Sequence, residues 1–362
     1  TAFGTLMAIP ISFFAARNLM DEVKSSLSNI SLSLLGWPLG MWLGLKTILL
    51  ITGLLTPIFE SFALTLVGTI IVPLLTVLLI NWILSSQDED STTGLQKRLT
   101  TFGFTLLSAA LIVTTVLFFG RLLLQIGTYL TPSEDVPLYF MRIFIYQLGD
   151  ITTMLAPAIA ALAAGGIFSG LFGYFGQIIS DKIAPATGKI INLVLTPAAG
   201  AVIFVLILQG VDWFYQFNNP AITLYWPAGI GAVAGLVAAI VVSAKQPLPI
   251  GIVLYGIIRT ILNGMRSVEA LVMAIVFVAW VGLGPFAGAL ALGLHTVAAL
   301  SKLYSEQVES ISEGPLEAIH ATGANRLQTI VFAVVPQIIP PYISFTMYRW
   351  DINVRMSTII GF

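Results

Sequence analysis

"FALTLVGTIIVPLLTVLLINWIL", residues 62–84, is a run of 23 residues without one charged side chain. Wound as an α-helix at ~1.5 Å per residue it extends about 35 Å, enough to cross the ~30 Å hydrocarbon core of a bilayer. A helix is the form such a run takes there, because it satisfies every backbone N–H and C=O within the segment where no water is at hand. The rest of the chain repeats the pattern. Of its 362 residues 57% are hydrophobic and 9% charged, against roughly 25% charged in a typical soluble domain. These runs are about twenty residues long, and the alternating segments of about ten residues that a transmembrane barrel needs are absent. The sequence therefore describes an all-α, polytopic helical membrane protein.

Apolar runs set against charged or Pro/Gly interruptions place spans near 1–16, 37–58, 62–84, 100–124, 148–172, 190–209, 222–243, 267–283, 286–303 and 327–348. Cytoplasmic loops retain Lys and Arg. With the loop of Arg17 and Lys24 inside, alternation also puts Lys97 and Arg98, Lys182 and Lys189, Lys245, Arg259 and Arg266, and Lys302 and Arg326 inside. The aromatic, base-free loop "VDWFYQFNNP" (211–220) then falls outside, and "QDEDSTTGLQKR" (87–98) reads as a solvated loop. The chain opens and closes on apolar text, so it is read as a fragment. "FGTLMAIP" (3–10) and "VGTIIVP" (67–73) share a Gly-Thr step and a proline, a match too short to establish a duplication.

Composition also excludes functions. A net charge of -1 and singly scattered basic residues argue against nucleic-acid binding. With no cysteine there is no thiolate chemistry and no Cys-based metal site. His295 and His320 lack metal-ligand spacing, so each is read as structural, and no cofactor is implied. The small-residue stretch "AAGGIFSGLFGYFG" (163–176) reads as a close helix-packing surface. No G-x-x-x-x-G-K-[ST] loop occurs, so any ATP has to bind elsewhere.

One passage breaks the apolar text: "EGPLEAIHATGANRLQTIVFAVVPQ", residues 313–337. Gly314 can cap a helix, Pro315 suits its first turn, and Glu317 places charge at the positive end of the helix dipole. Gly323 suits the left-handed residue that ends the helix. A second helix then starts near Asn325 and enters the membrane with Pro336 near its middle. Read from residues alone, the short helix is either an amphipathic loop on the headgroups or a docking knob for a soluble partner.

The spacing Glu317-Ala318, Gly323, Pro336 resembles the EAA loop of ABC-importer permeases. Ile319, Ala333 and Val335 depart from that pattern. "LNGMRSVEALVMAIVFVAWVGLGPFAGALALGLHTVAALSKLYSEQVESI" (262–311) and "VVPQIIPPYISFTMYRWDINVRMSTIIGF" (334–362) are similar to permeases of phosphonate and phosphite importers, and "TAFGTLMAIPISFFAARNL" (1–19) to an earlier helix of the same family. Val268 stands where that family usually has proline. The resemblance implies a type I, MetI-like permease core in 1–19 and 251–362, interrupted by about six additional transmembrane helices in 20–250. It further implies that Glu317, Ala318, Gly323, Ala324 and Pro336 form the coupling element seated in a separate ABC ATPase subunit. The other partners it implies are a periplasmic or lipid-anchored phosphonate-type solute-binding protein, a second permease subunit in a homodimer, and membrane lipid. The place it implies is the bacterial cytoplasmic membrane.

For substrate, Arg349, Asn353 and Arg355 within "YRWDINVR" are the candidates at membrane depth, where ionisable groups point to function. A structural pair with Asp351 is the competing reading. Arg266 and Glu269 read as a packing or salt-bridge feature at the cytoplasmic end. The function expected is that of a permease subunit translocating phosphonate or a related phosphorus oxyanion, with no catalysis of its own. An ion-gradient-driven secondary transporter is the alternative, and a membrane-embedded enzyme or scaffold the remaining one.

Overall fold

The structure, a computed structural model, describes residues 1–21, 23–86, 95–130, 136–243, 245–282, 284–324 and 326–360. Among these residues fourteen α-helices follow one another: α1 Ala2–Phe14, α2 Arg17–Asp21, α3 Leu27–Phe59, α4 Phe62–Ser86, α5 Leu95–Tyr129, α6 Val136–Lys182, α7 Pro185–Tyr215, α8 Trp226–Val241, α9 Ile250–Ser267, α10 Ala270–Val281, α11 Pro285–Glu309, α12 Glu313–Ala321, α13 Arg326–Thr329 and α14 Val335–Ile360. Two π-helical turns, Ala221–Tyr225 and Ile330–Val334, precede α8 and α14. Among the described residues there is no β-strand, only one isolated bridge.

Among the described residues eight helices are long and apolar enough to cross a membrane, and α9 with α10 pass the same test together but bend by 90°. The protein is thus a polytopic helical membrane protein. Helix ends differ from the apolar runs that announce them. The run near 148–172 lies inside the 47 residues of α6, because backbone hydrogen bonding continues through Arg142 and Asp150. Arg142 stays in the helix by donating from Nε to the Gly127 carbonyl of α5 at 3.2 Å. At 13 residues α1 is too short to cross alone. The acidic stretch at 87–94, read above as part of a loop, lies outside the described residues.

The chain divides into two compact units, residues 1–24 with 249–362, and residues 25–248. In the second unit α3 packs along α6, α5 along α6, and α7 along α8. The α3–α6 seam is made by Gly36, Gly40 and Gly44, spaced one helical turn apart. At Gly40 a Cβ would come within 2.5 Å of the Ala164 carbonyl oxygen, so only glycine lets the two backbones meet. The small residues of 163–176 serve this seam: Gly165 faces Trp37 and Met41, and Gly173 faces Asn29 and Ser33. Polar links tie α3 to α7, from Ser28 Oγ to Asn192 Oδ1 at 2.7 Å and between the Ser31 and Thr196 hydroxyls at 3.0 Å. The two ends of this unit pair with each other, Ser25 N to Leu248 O at 2.9 Å and Leu248 N to Ser25 O at 2.8 Å.

The first unit is built around α11. Its buried cluster joins Ala8 and Ala16 from the N-terminal stretch, Leu300, Tyr304 and Val308 of α11, and Ile338 and Tyr342 of α14. The Ser301 hydroxyl reaches the Ala8 carbonyl, and Asn18 Nδ2 donates to the Val308 carbonyl at 2.9 Å, so α1 and α2 follow α11 in the same direction. Tyr304 pairs with Tyr342 and Thr296 with Asn353, so α14 runs antiparallel to α11. Arg259 of α9 meets Glu309 while Leu262 shares a cluster with Ala298, so α9 also runs antiparallel to α11.

Candidate functional site

At one end of the first unit α11 terminates in a charged knot. Glu309 Oε1 accepts the Arg17 backbone N–H at 2.7 Å and Arg259 Nη1 at 2.9 Å, and Arg259 also donates to the Tyr255 hydroxyl at 2.6 Å. Four residues beyond Glu309, α12 begins. It starts at Glu313, one to two residues earlier than the Gly314-Pro315 signal, with the Glu313 carboxylate in its first turn. Pro315 lies in that first turn, where backbone N–H groups lack helical partners in any case. Thr322 closes the helix, donating from N and from Oγ1 to the Ile319 carbonyl at 3.2 and 2.7 Å. Gly323 follows at φ +78°, the left-handed turn its position called for.

Glu317 and Ala318 face outward, Leu316 and Ile319 are half-buried, and α12 packs on the π turn at Ile330–Val334. Ala324 is half-buried beside the glycine, and the chain resumes helix at Arg326. Pro336 is the second residue of α14, directly after the π turn, and not at the middle of an unbroken helix. The same register recurs at Ala221–Tyr225 ahead of Pro227. Proline lacks the N–H and crowds the carbonyl four residues back, and a widened turn relieves both. Gln337, which sequence reasoning passed over, fastens this region: its Oε1 accepts the Ser312 N–H at 3.0 Å and its Nε2 donates to the Ala333 carbonyl at 2.9 Å.

Further along α14 the polar residues separate by face. Asn353, 6% exposed, donates from Nδ2 to the Thr1 hydroxyl at 2.9 Å and to the Thr296 hydroxyl at 2.8 Å, while its buried Oδ1 has no partner. It lines an open cavity of about 390 Å³ together with Thr1, Leu292, Trp350 and Ser357. Arg349, one turn earlier, is half-buried and its Nε is buried without a partner. Arg355 lies on the exposed face and pairs with Asp351 at 2.6 Å, its side chain 76% exposed. The structure thus brings Arg349 and Asn353 to the interior of the unit and sets Arg355 apart.

Arg266 and Glu269 are not at the charged knot. They sit at the α9–α10 corner, within electrostatic range of His295. His295 is near the middle of α11, ten residues from Pro285 and fourteen from Glu309. The apolar text of 250–265 is an amphipathic helix lying along α11, which is why hydropathy alone reads it as a loop.

The first unit thus carries in succession a short polar helix, a left-handed glycine turn and the long helix α14. Residues 231–362 match the family described as "Binding-protein-dependent transport system inner membrane component". The chain is 43% identical over 132 residues to the phosphite transport system permease protein PtxC of Stutzerimonas stutzeri, an alignment covering 36% of this chain and 47% of that protein. It is 32% identical over 205 residues to the phosphate-import permease protein PhnE of Mycolicibacterium smegmatis, covering 52% of this chain and 37% of that protein. The chain therefore spans less than half the length of either relative. No solved structure matches it.

Proposed function

We propose that this chain is the permease subunit of an ATP-driven ABC importer that carries a phosphorus oxyanion, phosphonate or a relative such as phosphite, across a bacterial cytoplasmic membrane. The observation that carries the reading is α12: an outward-facing Glu317-Ala318 pair, a left-handed Gly323 and a direct tie through Gln337 to α14, all inside the matched segment. Such a helix is suited to sit in a groove of a separate ATPase subunit and pass its closure to α14 as a rigid-body motion, with Glu317, Ala318, Gly323, Ala324 and Pro336 as the coupling element. The chain itself hydrolyses nothing.

In this reading residues 1–24 and 249–362 are one half of the transport core, completed by a second permease subunit, and the six long helices of 25–248 are an addition to it. A solute-binding protein delivers the anion to the face opposite α12, where the Asn353 cavity opens between α11 and α14, and Arg349 lies one turn deeper. The names of both relatives support a phosphorus oxyanion as cargo.

The test is reconstitution of the full-length protein with its genomic-neighbour ATPase and binding protein in proteoliposomes. Uptake of radiolabelled phosphite or phosphate is expected with ATP present and none with an ion gradient alone. Uptake driven by the gradient without ATP overturns the reading, as does unchanged uptake in Glu317→Arg.

A further inference from the structure

Not every glycine of 163–176 is used by the α3–α6 seam. Gly165 and Gly173 meet side chains of α3, but at Gly166 and Gly170, one helical turn apart, no described atom lies within 4 Å of the position a Cβ would take. Glycine weakens a helix interior unless something approaches its bare backbone closely, and within this unit nothing does. The two glycines instead line a groove of about 190 Å³ between α5 and α6, together with Arg98, Phe102 and Thr105 of α5 and Tyr174 of α6.

The groove has a charged mouth and an apolar bed. Arg98 stands where the apolar run of 100–124 begins, and its guanidinium lies over the Tyr174 ring, 4.8 Å from the centroid. Among the described residues Arg98 has no acidic partner, since the ion pairs present involve Arg259 and Arg355. Phe102 forms one wall, its ring set edge-on to Phe168 of α6 at 5.1 Å. At the deep end the Thr105 hydroxyl donates to the Thr101 carbonyl, so its proton is already used within the helix. Arg98 to Thr105 is about seven residues and Tyr174 to Gly166 about eight, roughly 10–12 Å along the helices. That is most of the ~15 Å hydrocarbon depth of one leaflet. A cation and an aromatic ring at the interface, with an apolar slot running inward from them, complement an amphiphile that has an anionic head and a hydrocarbon tail.

We propose that the α5–α6 groove binds an anionic glycerophospholipid, its phosphate on Arg98 and one acyl chain laid along Gly166 and Gly170. Size and charge favour this occupant over others. A helix is ~10 Å across and does not fit a slot of this volume. Two copies packed glycine to glycine about a two-fold axis normal to the membrane would set both Arg98 charges at the same depth beside one contact. A free phosphate would be held by a single exposed arginine and would leave the apolar slot unfilled. The site lies in the helices added to the transport core and is independent of what the protein carries.

The test uses the full-length protein in phosphatidylcholine nanodiscs containing a minor fraction of phosphatidylglycerol with a diazirine midway along one acyl chain. After illumination the adducts are mapped by mass spectrometry. Labelling is expected to concentrate on Phe102, Thr105 and the Gly166–Gly170 turn, several-fold above the outward face of α4, where Ile70 and Leu74 are exposed. Arg98→Gln, or a phosphatidylcholine probe in place of phosphatidylglycerol, is expected to lower groove labelling about fivefold, the factor one basic residue contributes beside an anionic lipid. Gly170→Leu fills the slot and is expected to bring labelling down to the α4 level with Arg98 still in place, and Gly166→Val serves if that variant does not fold. Groove labelling no stronger than that of α4, or equal for both probes and unchanged in Arg98→Gln, overturns the proposal. Two further outcomes also overturn it: displacement of the lipid probe by inorganic phosphate, which assigns Arg98 to a free anion, and a parent dimer that Gly170→Leu dissociates, which assigns the glycines to a contact between copies.

Discussion

Gln337 holds Ser312 across 25 residues of chain, its Oε1 3.0 Å from the Ser312 backbone N–H. The same amide returns to the Ala333 carbonyl inside the π turn. One side chain thus fixes the entry to α12 against the start of α14, and under the proposed function this is the link through which motion of the short helix would reach the long one. Gln337→Ala removes both bonds, each contributing about 1 kcal/mol. Uptake per ATP hydrolysed is expected to fall several-fold while the assembled complex remains intact by size-exclusion chromatography. An unchanged transport-to-hydrolysis ratio would show that α12 and α14 communicate by another route.

Gly323 offers a sharper probe of the same region. At φ +78° an L side chain costs roughly 1–2 kcal/mol, less for Asn, which visits the left-handed region more readily. No atom waits within 4 Å of a Cβ there, so the penalty is conformational and not steric. Gly323→Val is expected to misdirect α12 and lower ATPase co-purification by about tenfold, with Gly323→Asn close to the parent. Equal loss in both variants would point to crowding by the docked partner in place of backbone geometry.

The core of the first unit rests on a stacked pair. The rings of Tyr304 and Tyr342 lie 3.8 Å apart at 9°, each hydroxyl 3.4 Å from the other's backbone carbonyl oxygen, and Tyr304 is 0% exposed. Thr346 and Ser12 complete the hydroxyl contacts. Tyr304→Ala opens a large cavity and is expected to cost about 3–5 kcal/mol, against about 1–2 for Tyr304→Phe. Thermal unfolding in detergent should rank parent, Phe and Ala in that order. Coincident curves for Phe and Ala would remove the stack as the source of stability.

How much of this could be read from residue order depends on the distance over which each property is decided. Helical membrane class follows from local composition, and segments such as 62–84 announce themselves. Helix ends do not: α6 continues far past its apolar centre because Arg142 finds an acceptor on α5, a tertiary event. Helix α9 is hidden for a related reason. Arg259 and Arg266 dilute its hydropathy, yet Glu306 and Glu309 of α11 take up the first of them. In the interior, Arg349 and Asn353 are one turn apart and legible as neighbours, whereas His295, Thr296 and Thr1 join them only through packing of α1, α11 and α14. Gln337 carries no motif signal at all, since its role exists only once Ser312 is brought beside it.

In the second unit the seam between α3 and α6 makes a prediction with its own control. Gly40→Leu places a side chain where even a Cβ would meet the Ala164 carbonyl oxygen at 2.5 Å, so the helices have to separate. Gly53, on the same helix, has nothing within 4 Å of its Cβ position. Gly53→Ala is expected to be neutral or slightly stabilising by helix propensity, up to about 1 kcal/mol. Gly40→Leu is expected to reduce folded membrane yield at least fivefold. Similar yields of the two would mean that the seam is not closely packed.

Glu309 presents the last case, because its charge serves two partners at once. It accepts the Arg17 backbone N–H and the Arg259 guanidinium, with the Glu309 and Arg259 side chains 27% and 21% exposed. Glu306 stands 3.8 Å from Arg259, too far to replace the bond. Glu309→Gln therefore leaves a partly buried guanidinium short of its counter-charge, at a cost of about 1–3 kcal/mol. Arg259→Met alone leaves Glu309 with the Arg17 N–H and should cost less. In the double variant the two losses are expected to be sub-additive by about 1 kcal/mol, the signature of a direct pair. Because α12 begins four residues beyond Glu309, loosening this knot should also lower uptake more than it lowers ATPase activity. Strict additivity in unfolding free energy would instead mean that each residue is held by neighbours other than the other.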